Sequence, residues 1–199
     1  MTLVIRISGH PGSGKTTLAR NLAKLLGFQF SYTGGIFREM AEKYKKSLED
    51  FYREMKKNPD LEKAIDALQA KLMNEGNNLV VDGRIAPFQP CDFTAVNVLL
   101  TVSDEEGAKR LALRPENKNI RRSKIKQRAK KRVREERTRY QKLYGIDDHL
   151  AKKYFDVVIN TTKYKPDFIL FYAAKEIQGA LNKTKIKPLK SASLDLPRT

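Results

Sequence analysis

The amino-acid sequence predicts an α/β fold of three layers, α/β/α, with a mainly parallel five-stranded sheet in the middle. Short runs rich in Val, Ile and Leu alternate with helical patterns along the 199 residues, the order that builds parallel strands with helices between them. A glycine-rich loop joins the first such run directly to the first helix. Three consecutive helical patterns between the second and third strands add an inserted helical unit.

The first strand covers residues 3–7, with Ser8 and Gly9 leaving it. Leu18, Leu22, Leu25 and Leu26 fall on one face of a helix over about 15–26, and Gly27 stops it. Residues 28–32 form a short strand, and Gly34-Gly35 turns the chain into a helix beginning near Ile36. Ser47 with Asp50 resembles a capping box, with Asp in place of Glu, and opens a third helix. Asn58-Pro59 ends that helix and starts a fourth, because asparagine suits the cap and proline the first helical position. Gly76 ends the fourth. Strands follow at 78–82 and 95–102. Ser103 with Glu106 is a second capping box, opening a helix through Arg114 that Pro115 stops. Residues 118–142 look helical and strongly basic, 157–161 make the last strand, and Lys165-Pro166-Asp167 opens a final helix to about Leu181.

This order describes one domain over residues 1–182. Its core is 1–33, 77–114 and 150–182, its helical insertion 34–76, and its basic insertion 115–149. Residues 183–199 read as a disordered basic tail. The single cysteine, Cys91, excludes an internal disulfide or thiolate metal site and fits a reducing compartment. The apolar start, broken by Arg6, is too short for a signal-peptide core, and residues 168–174 fall short of a membrane span. The expectation is a cytoplasmic monomer with no membrane contact. The net charge of +17 is uneven: residues 1–114 hold 17 Lys/Arg and 14 Asp/Glu, residues 115–199 hold 23 and 9. Such a field attracts polyanions without choosing among them.

Gly9-His10-Pro11-Gly12-Ser13-Gly14-Lys15-Thr16 satisfies the P-loop pattern in full, directly after a strand and before a helix. Glycines let successive backbone N–H groups curl around phosphate oxygens, and the helix N-terminus adds partial positive charge. Lys15 is then expected to neutralise the β- and γ-phosphates of ATP, with the Thr16 hydroxyl on Mg²⁺. Two further motifs narrow the acceptor. Thr33-Gly34-Gly35-Ile36-Phe37-Arg38 puts an arginine one turn into a helix, and Asp82-Gly83-Arg84 lies at the carboxyl end of the next strand. Ligands bind at the carboxyl ends of strands in such sheets, so all three motifs are expected at one crevice. Two arginines facing the loop can grip an acceptor phosphate, and Asp82 can hold a Mg²⁺-bound water.

The order of these parts is similar to that of nucleoside monophosphate kinases and, among them, the archaeal-type cytidylate kinases. The matching stretches are residues 7–17, 33–41, 82–84, 99–114, 136–147 and 154–161, with the intervening helical unit only loosely similar. The resemblance implies Mg²⁺-dependent transfer from ATP to CMP or dCMP. It implies that Gly9, Gly12, Ser13, Gly14, Lys15, Thr16 and Thr17 hold ATP, with Arg110 against its base and Arg114 at its phosphates. Thr33, Gly34, Arg38, Asp82, Gly83 and Arg84 would surround the acceptor. The basic insertion would be a lid whose Arg132 and Arg139, with Glu136 between them in the pattern, or Arg134 or Arg137 in their place, close over the transferring group. The chain departs from the family pattern in three places: Val133 replaces an acid of the lid, Gly35 an aspartate, and Ala86-Pro87-Phe88 a small-and-aromatic sequence.

An acceptor phosphate is ionised at neutral pH, so the implied reaction needs no general base, only positioning and charge stabilisation. Two alternatives stay open on the residues. One is a P-loop kinase of another acceptor (AMP, UMP, a cofactor precursor or a polynucleotide 5′ end); a hydroxyl acceptor would make Asp82 the base. The other is a nucleic-acid or ribosome-binding ATPase. The 13 Lys/Arg of residues 118–142 and the tail suit an RNA or ribosome contact, although Tyr140 is the lone aromatic within that stretch.

Overall fold

The computed structural model describes residues 2–55 and 57–183. Five strands, β1 (Leu3–Gly9), β2 (Gln29–Tyr32), β3 (Leu79–Asp82), β4 (Thr94–Thr101) and β5 (Val157–Asn160), form one sheet in the order β2-β3-β1-β4-β5. Every pairing is parallel: Ile5 faces Val80 on one side and Val96 on the other, and Leu99 faces Val158. β1 is central and buried along its whole length, as a strand covered on both faces must be.

Alternation along β1 divides the core. Leu3, Ile5 and Ile7 point into a cluster with Leu18 and Leu22 of α1 (Lys15–Leu26). Ile169, Ala173 and Ile177 of the last helix, Pro166–Lys183, complete that cluster. Val4 points the other way, toward Met73, Leu79, Val81 and Ala86. Arg6 interrupts the apolar run yet is buried, its guanidinium donating to Asn97 Oδ1 at 2.8 Å and to the Gln89 carbonyl at 3.0 Å. These two hydrogen bonds offset part of the cost of burying the charge.

Between β2 and β3 lie α2 (Thr33–Lys43), α3 (Leu48–Met55) and α4 (Pro59–Met73). They carry a small core of their own from Ile36, Phe37, Ala41, Phe51, Met55 and Ile65. The caps form as the side chains predict: Ser47 Oγ accepts from Asp50 N at 3.1 Å, Asn58 Oδ1 from Asp60 N at 3.1 Å, and Ser103 Oγ from Glu106 N at 3.3 Å. After β4 come α5 (Asp104–Ala112) and the 23-residue α6 (Arg122–Tyr144), then β5 and α7 (Pro166–Lys183).

One boundary differs from expectation in an instructive way. α2 starts at Thr33, so Gly34 and Gly35 lie inside the helix and not in a turn before it. The Tyr32 ring occupies the space beside them: a Cβ on Gly35 would come 2.7 Å from a Tyr32 ring carbon. Packing of that ring against bare backbone outweighs the helix penalty of glycine. α5 ends at Ala112, two residues before Arg114. The last helix runs to Lys183, where the tail was expected to begin, and residues 184–199 lie outside the described residues.

Candidate active site

The phosphate-binding loop connects β1 to α1 and takes its shape from three glycines at positive φ: Gly9 (152°), Gly12 (76°) and Gly14 (89°). Space is as restrictive as torsion. A Cβ on Gly9 would sit 2.2 Å from the Leu100 carbonyl oxygen, and one on Gly12 would sit 2.4 Å from that of Gly107. The Lys15 ammonium is enclosed by the loop and donates to the carbonyls of Gly9 (2.9 Å) and His10 (3.0 Å). Burial, with Arg84 adding to it, lowers its pKa to about 7. Thr16 Oγ1 donates to Asp82 Oδ2 at 2.5 Å, joining the start of α1 to the end of β3.

Asp82 is also the centre of the acceptor-side motif. Its carbonyl accepts from Thr33 Oγ1 at 3.3 Å, and Thr33 Oγ1 accepts from Gln69 Nε2 of α4 at 3.0 Å. Gly83 has no room for a side chain, since its Cβ would lie 2.5 Å from Gln69 Oε1. Arg84 is largely buried and bonded to the Glu136 carboxylate of α6. Arg132 Nε donates to the other oxygen of Glu136 at 2.8 Å. Burial pushes the Glu136 carboxyl up, but Arg84 and Arg132 outweigh it and hold the group below the ordinary range. His149 is fully buried behind this cluster, 3.8 Å from Glu136, and burial lowers its pKa to about 4.

α6 is tied across the cleft to α4. Arg139 Nε donates to Glu62 Oε1 at 2.8 Å, and the Tyr144 hydroxyl to Asp66 Oδ2 at 2.5 Å. Burial raises the Asp66 carboxyl to about 6. Arg38 stands apart: it is exposed and bonded to the Tyr32 hydroxyl, with no partner in common with Arg84. Val133, in place of an acid, lines a pocket of about 400 Å³ between α5 and α6, together with Ala129, Lys130 and Arg134.

A second cleft of about 440 Å³ opens beside the loop, lined by Gly12, Gly14, Thr17, Arg110, Arg114 and Tyr164. Arg110 donates to Thr161 Oγ1 (3.0 Å) and to the Thr161 carbonyl (2.7 Å), and Thr161 Oγ1 lies 3.1 Å from the Ser13 carbonyl. Arg114 lies 3.8 Å from Glu116. The sequence had singled out Lys15, Thr16, Asp82, Arg84, Arg132 and Arg139, which the fold gathers around the loop and cleft. It had not singled out Glu62, Asp66, Gln69, His149 or Thr161; an acid pair one turn apart on a helix, as at 62 and 66, has no signature distinguishing it from a solvated face.

Of the basic side chains in residues 118–142, Lys126 pairs with Glu105, Lys130 with Asp104, and Arg137 with Asp148. Among the described residues no group of three His, Cys, Asp or Glu could hold a metal by itself, and no helix is long and apolar enough to cross a membrane.

A parallel 2-3-1-4-5 sheet with a P-loop after its central strand, and lysine and arginines converging on that loop, defines a P-loop kinase. A family model described as an AAA domain matches residues 5–140. Cytidylate kinases of Pyrobaculum neutrophilum and Thermococcus kodakarensis are each 38% identical to the chain. They cover 80% and 83% of it, and 84% and 82% of their own lengths. The cytidylate kinase of Methanopyrus kandleri is 34% identical over 84% of the chain and 89% of its own length. The chain belongs to the cytidylate kinase family, and is a phosphotransferase with a phosphate group as acceptor. Among solved structures, shikimate kinase from Acinetobacter baumannii in complex with shikimate has a TM-score of 0.59 at 20% identity, covering 92% of this chain and 95% of its own. That likeness is one of fold.

Proposed function

We propose that this chain transfers the γ-phosphoryl group of ATP to CMP or dCMP, giving CDP or dCDP. The observation that carries the reading is the meeting of Arg84, after β3, and Arg132, of α6, on Glu136, close enough to Lys15 for both arginines to depress its pKa. Glu136 binds both arginines, marking a place where an anion is held between them. An acceptor phosphate there would compete with that carboxylate for Arg84, and Arg38, free of the cluster, would take its far side.

Each side chain has a definable task. The loop's N–H groups and Lys15 would hold the β- and γ-phosphates, and Arg132 and Arg139 on α6 would stabilise charge on the group in transfer. Thr161 fixes the Arg110 guanidinium, which would lie against the donor base, with Arg114 at the cleft mouth. Thr16 offers a hard oxygen ligand that fits Mg²⁺ held jointly with nucleotide oxygens, and Asp82, which accepts from Thr16 Oγ1 at 2.5 Å, would hold the ion through a bound water. The ion would supply neutralisation of phosphate charge when bound. Because Asp82 is engaged with Thr16, and the acceptor phosphate is already ionised, the reaction runs without a general base. The contacts of Glu62 and Asp66 with α6 would close the cleft against water. The domain boundaries read from the sequence, with α2–α4 as the acceptor-binding insertion and residues 115–149 as the lid, belong to this proposal. So do monomeric action in the cytoplasm and an RNA or ribosome contact through residues 118–142 and the tail.

The test is ADP release from ATP and Mg²⁺ with CMP, dCMP, UMP, AMP, GMP and dTMP offered separately. Strong turnover with CMP and dCMP is expected. Failure of every monophosphate in a chain that still binds ATP would sink the reading.

A further inference from the structure

α7 buries Ile169, Ala173, Ala174 and Ile177 against the sheet, as an amphipathic helix should. Its other side is unusual. Tyr164, just before the helix, and Phe168 and Tyr172 within it are 49%, 51% and 40% exposed. They recur at four-residue spacing and stack on one another. Tyr164 and Phe168 have ring centroids 4.6 Å apart with planes 17° apart; for Phe168 and Tyr172 the values are 6.0 Å and 9°. The result is a ladder of three nearly parallel rings facing water.

Exposed aromatic area organised in this way marks an interaction surface. The surrounding charge identifies the partner. Lys163, Lys165 and Lys175 are exposed along the ladder, while Asp167 is the single exposed acid among the described residues of α7. An apolar protein face laid on the rings would have to desolvate those ammonium groups. A single-stranded polynucleotide would not, because its bases stack on aromatic faces while its phosphates meet the lysines. A duplex hides its base faces and cannot use the rings. We infer that the Tyr164–Phe168–Tyr172 ladder of α7, with Lys163 and Lys175 beside it, binds single-stranded polynucleotide through its bases. The ladder meets the cleft beside the phosphate loop at Tyr164, which lines both, and Phe168 and Tyr172 continue it along α7; α6 has lysines and arginines but no exposed ring.

The experiment uses the full chain, a labelled 12-nucleotide oligouridylate RNA, and an RNA duplex of the same length, read by fluorescence anisotropy at fixed salt. The unsubstituted chain should prefer the single strand. The double variant Phe168→Ala/Tyr172→Ala should lose about tenfold or more in single-strand affinity. Its duplex affinity and its salt dependence should be unchanged, with ATP binding and the melting curve retained as evidence of folding. Lys163→Glu/Lys175→Glu should weaken both probes and flatten the salt dependence. Equal single-strand affinity in the aromatic variant and the unsubstituted chain overturns the proposal, as does failure of the unsubstituted chain to bind. If sedimentation finds a dimer that the aromatic substitutions dissolve, the rings serve a second copy of the chain and the proposal also falls.

Discussion

The phosphate loop and the cleft facing it are built in opposite ways. The loop is eight consecutive residues whose shape comes from backbone, with glycines at positive φ and no room for a Cβ at Gly9 or Gly12. The cleft comes from side chains far apart in sequence: Arg84 with Glu136, Arg139 with Glu62 and Tyr144 with Asp66 are 52, 77 and 78 residues apart. A backbone site cannot be tuned without being broken. A side-chain site can be dismantled one charge at a time, and each piece has its own measurable cost.

The largest effect should come from the loop. Lys15→Met should lower turnover by about 10²–10³-fold, the usual cost of removing one preorganised donor. The same change should leave the melting temperature of the free chain unchanged or raised, because it removes an ammonium that burial disfavours. A large fall in melting temperature would show that Lys15 holds the loop together.

On the cleft side the order reverses, and stability suffers first. Glu136→Ala strips the carboxylate from buried Arg84 and should cost about 3–5 kcal/mol in chemical denaturation, with added sulfate or phosphate restoring part of it. A cost below about 1 kcal/mol would mean that Arg84 finds another partner or water. Arg38→Ala should raise the KM for the acceptor about tenfold or more while that for ATP stays fixed, since loss of one charged hydrogen bond is worth about 1.5–3 kcal/mol. Equal effects on both substrates would place Arg38 outside the acceptor site.

Protons separate the two regions as well. Lys15 has a pKa of about 7 in the folded chain against its ordinary 10.5. Between those values the unfolded chain binds more protons, so this group makes stability rise with pH across that window and withdraws the gain as pH falls through 7. ATP phosphates should restore the ammonium form, so binding near pH 8 should take up a proton, detectable by calorimetry in two buffers of different ionisation enthalpy. No buffer dependence would mean that Lys15 is already charged. The smallest effect expected is that of Tyr144→Phe, about 1 kcal/mol from the lost hydrogen bond to Asp66. Unchanged stability would mean that this contact contributes nothing net.

The loop was readable because everything that shapes it is local: glycine torsions, a lysine and a threonine at set spacing, a strand before and a helix after. Arg84 was readable for a similar reason, at the end of a strand. Its partner was not. Glu136 drew notice only through its spacing from Arg132 and Arg139, and His149 and Gln69 not at all, because a lone polar residue has no pattern until its neighbours are known. Glycines 34 and 35 misled for the opposite reason. Their local preference points to a turn, and the Tyr32 ring packed against them keeps them helical.

By itself, then, the sequence determined the layers of the fold, the phosphate loop, the caps of α3, α4 and α5, and the uneven charge. These depend on torsional preference, periodicity and hydrogen bonds within a few residues. Tertiary structure alone decided that Glu136 would hold two arginines, that Glu62 and Asp66 would face α6, that Val133 would line a pocket between α5 and α6, and that Tyr164, Phe168 and Tyr172 would stack in water. Each of these is set by which surfaces meet across the fold, and burial and charge act on distances in space that sequence spacing does not encode.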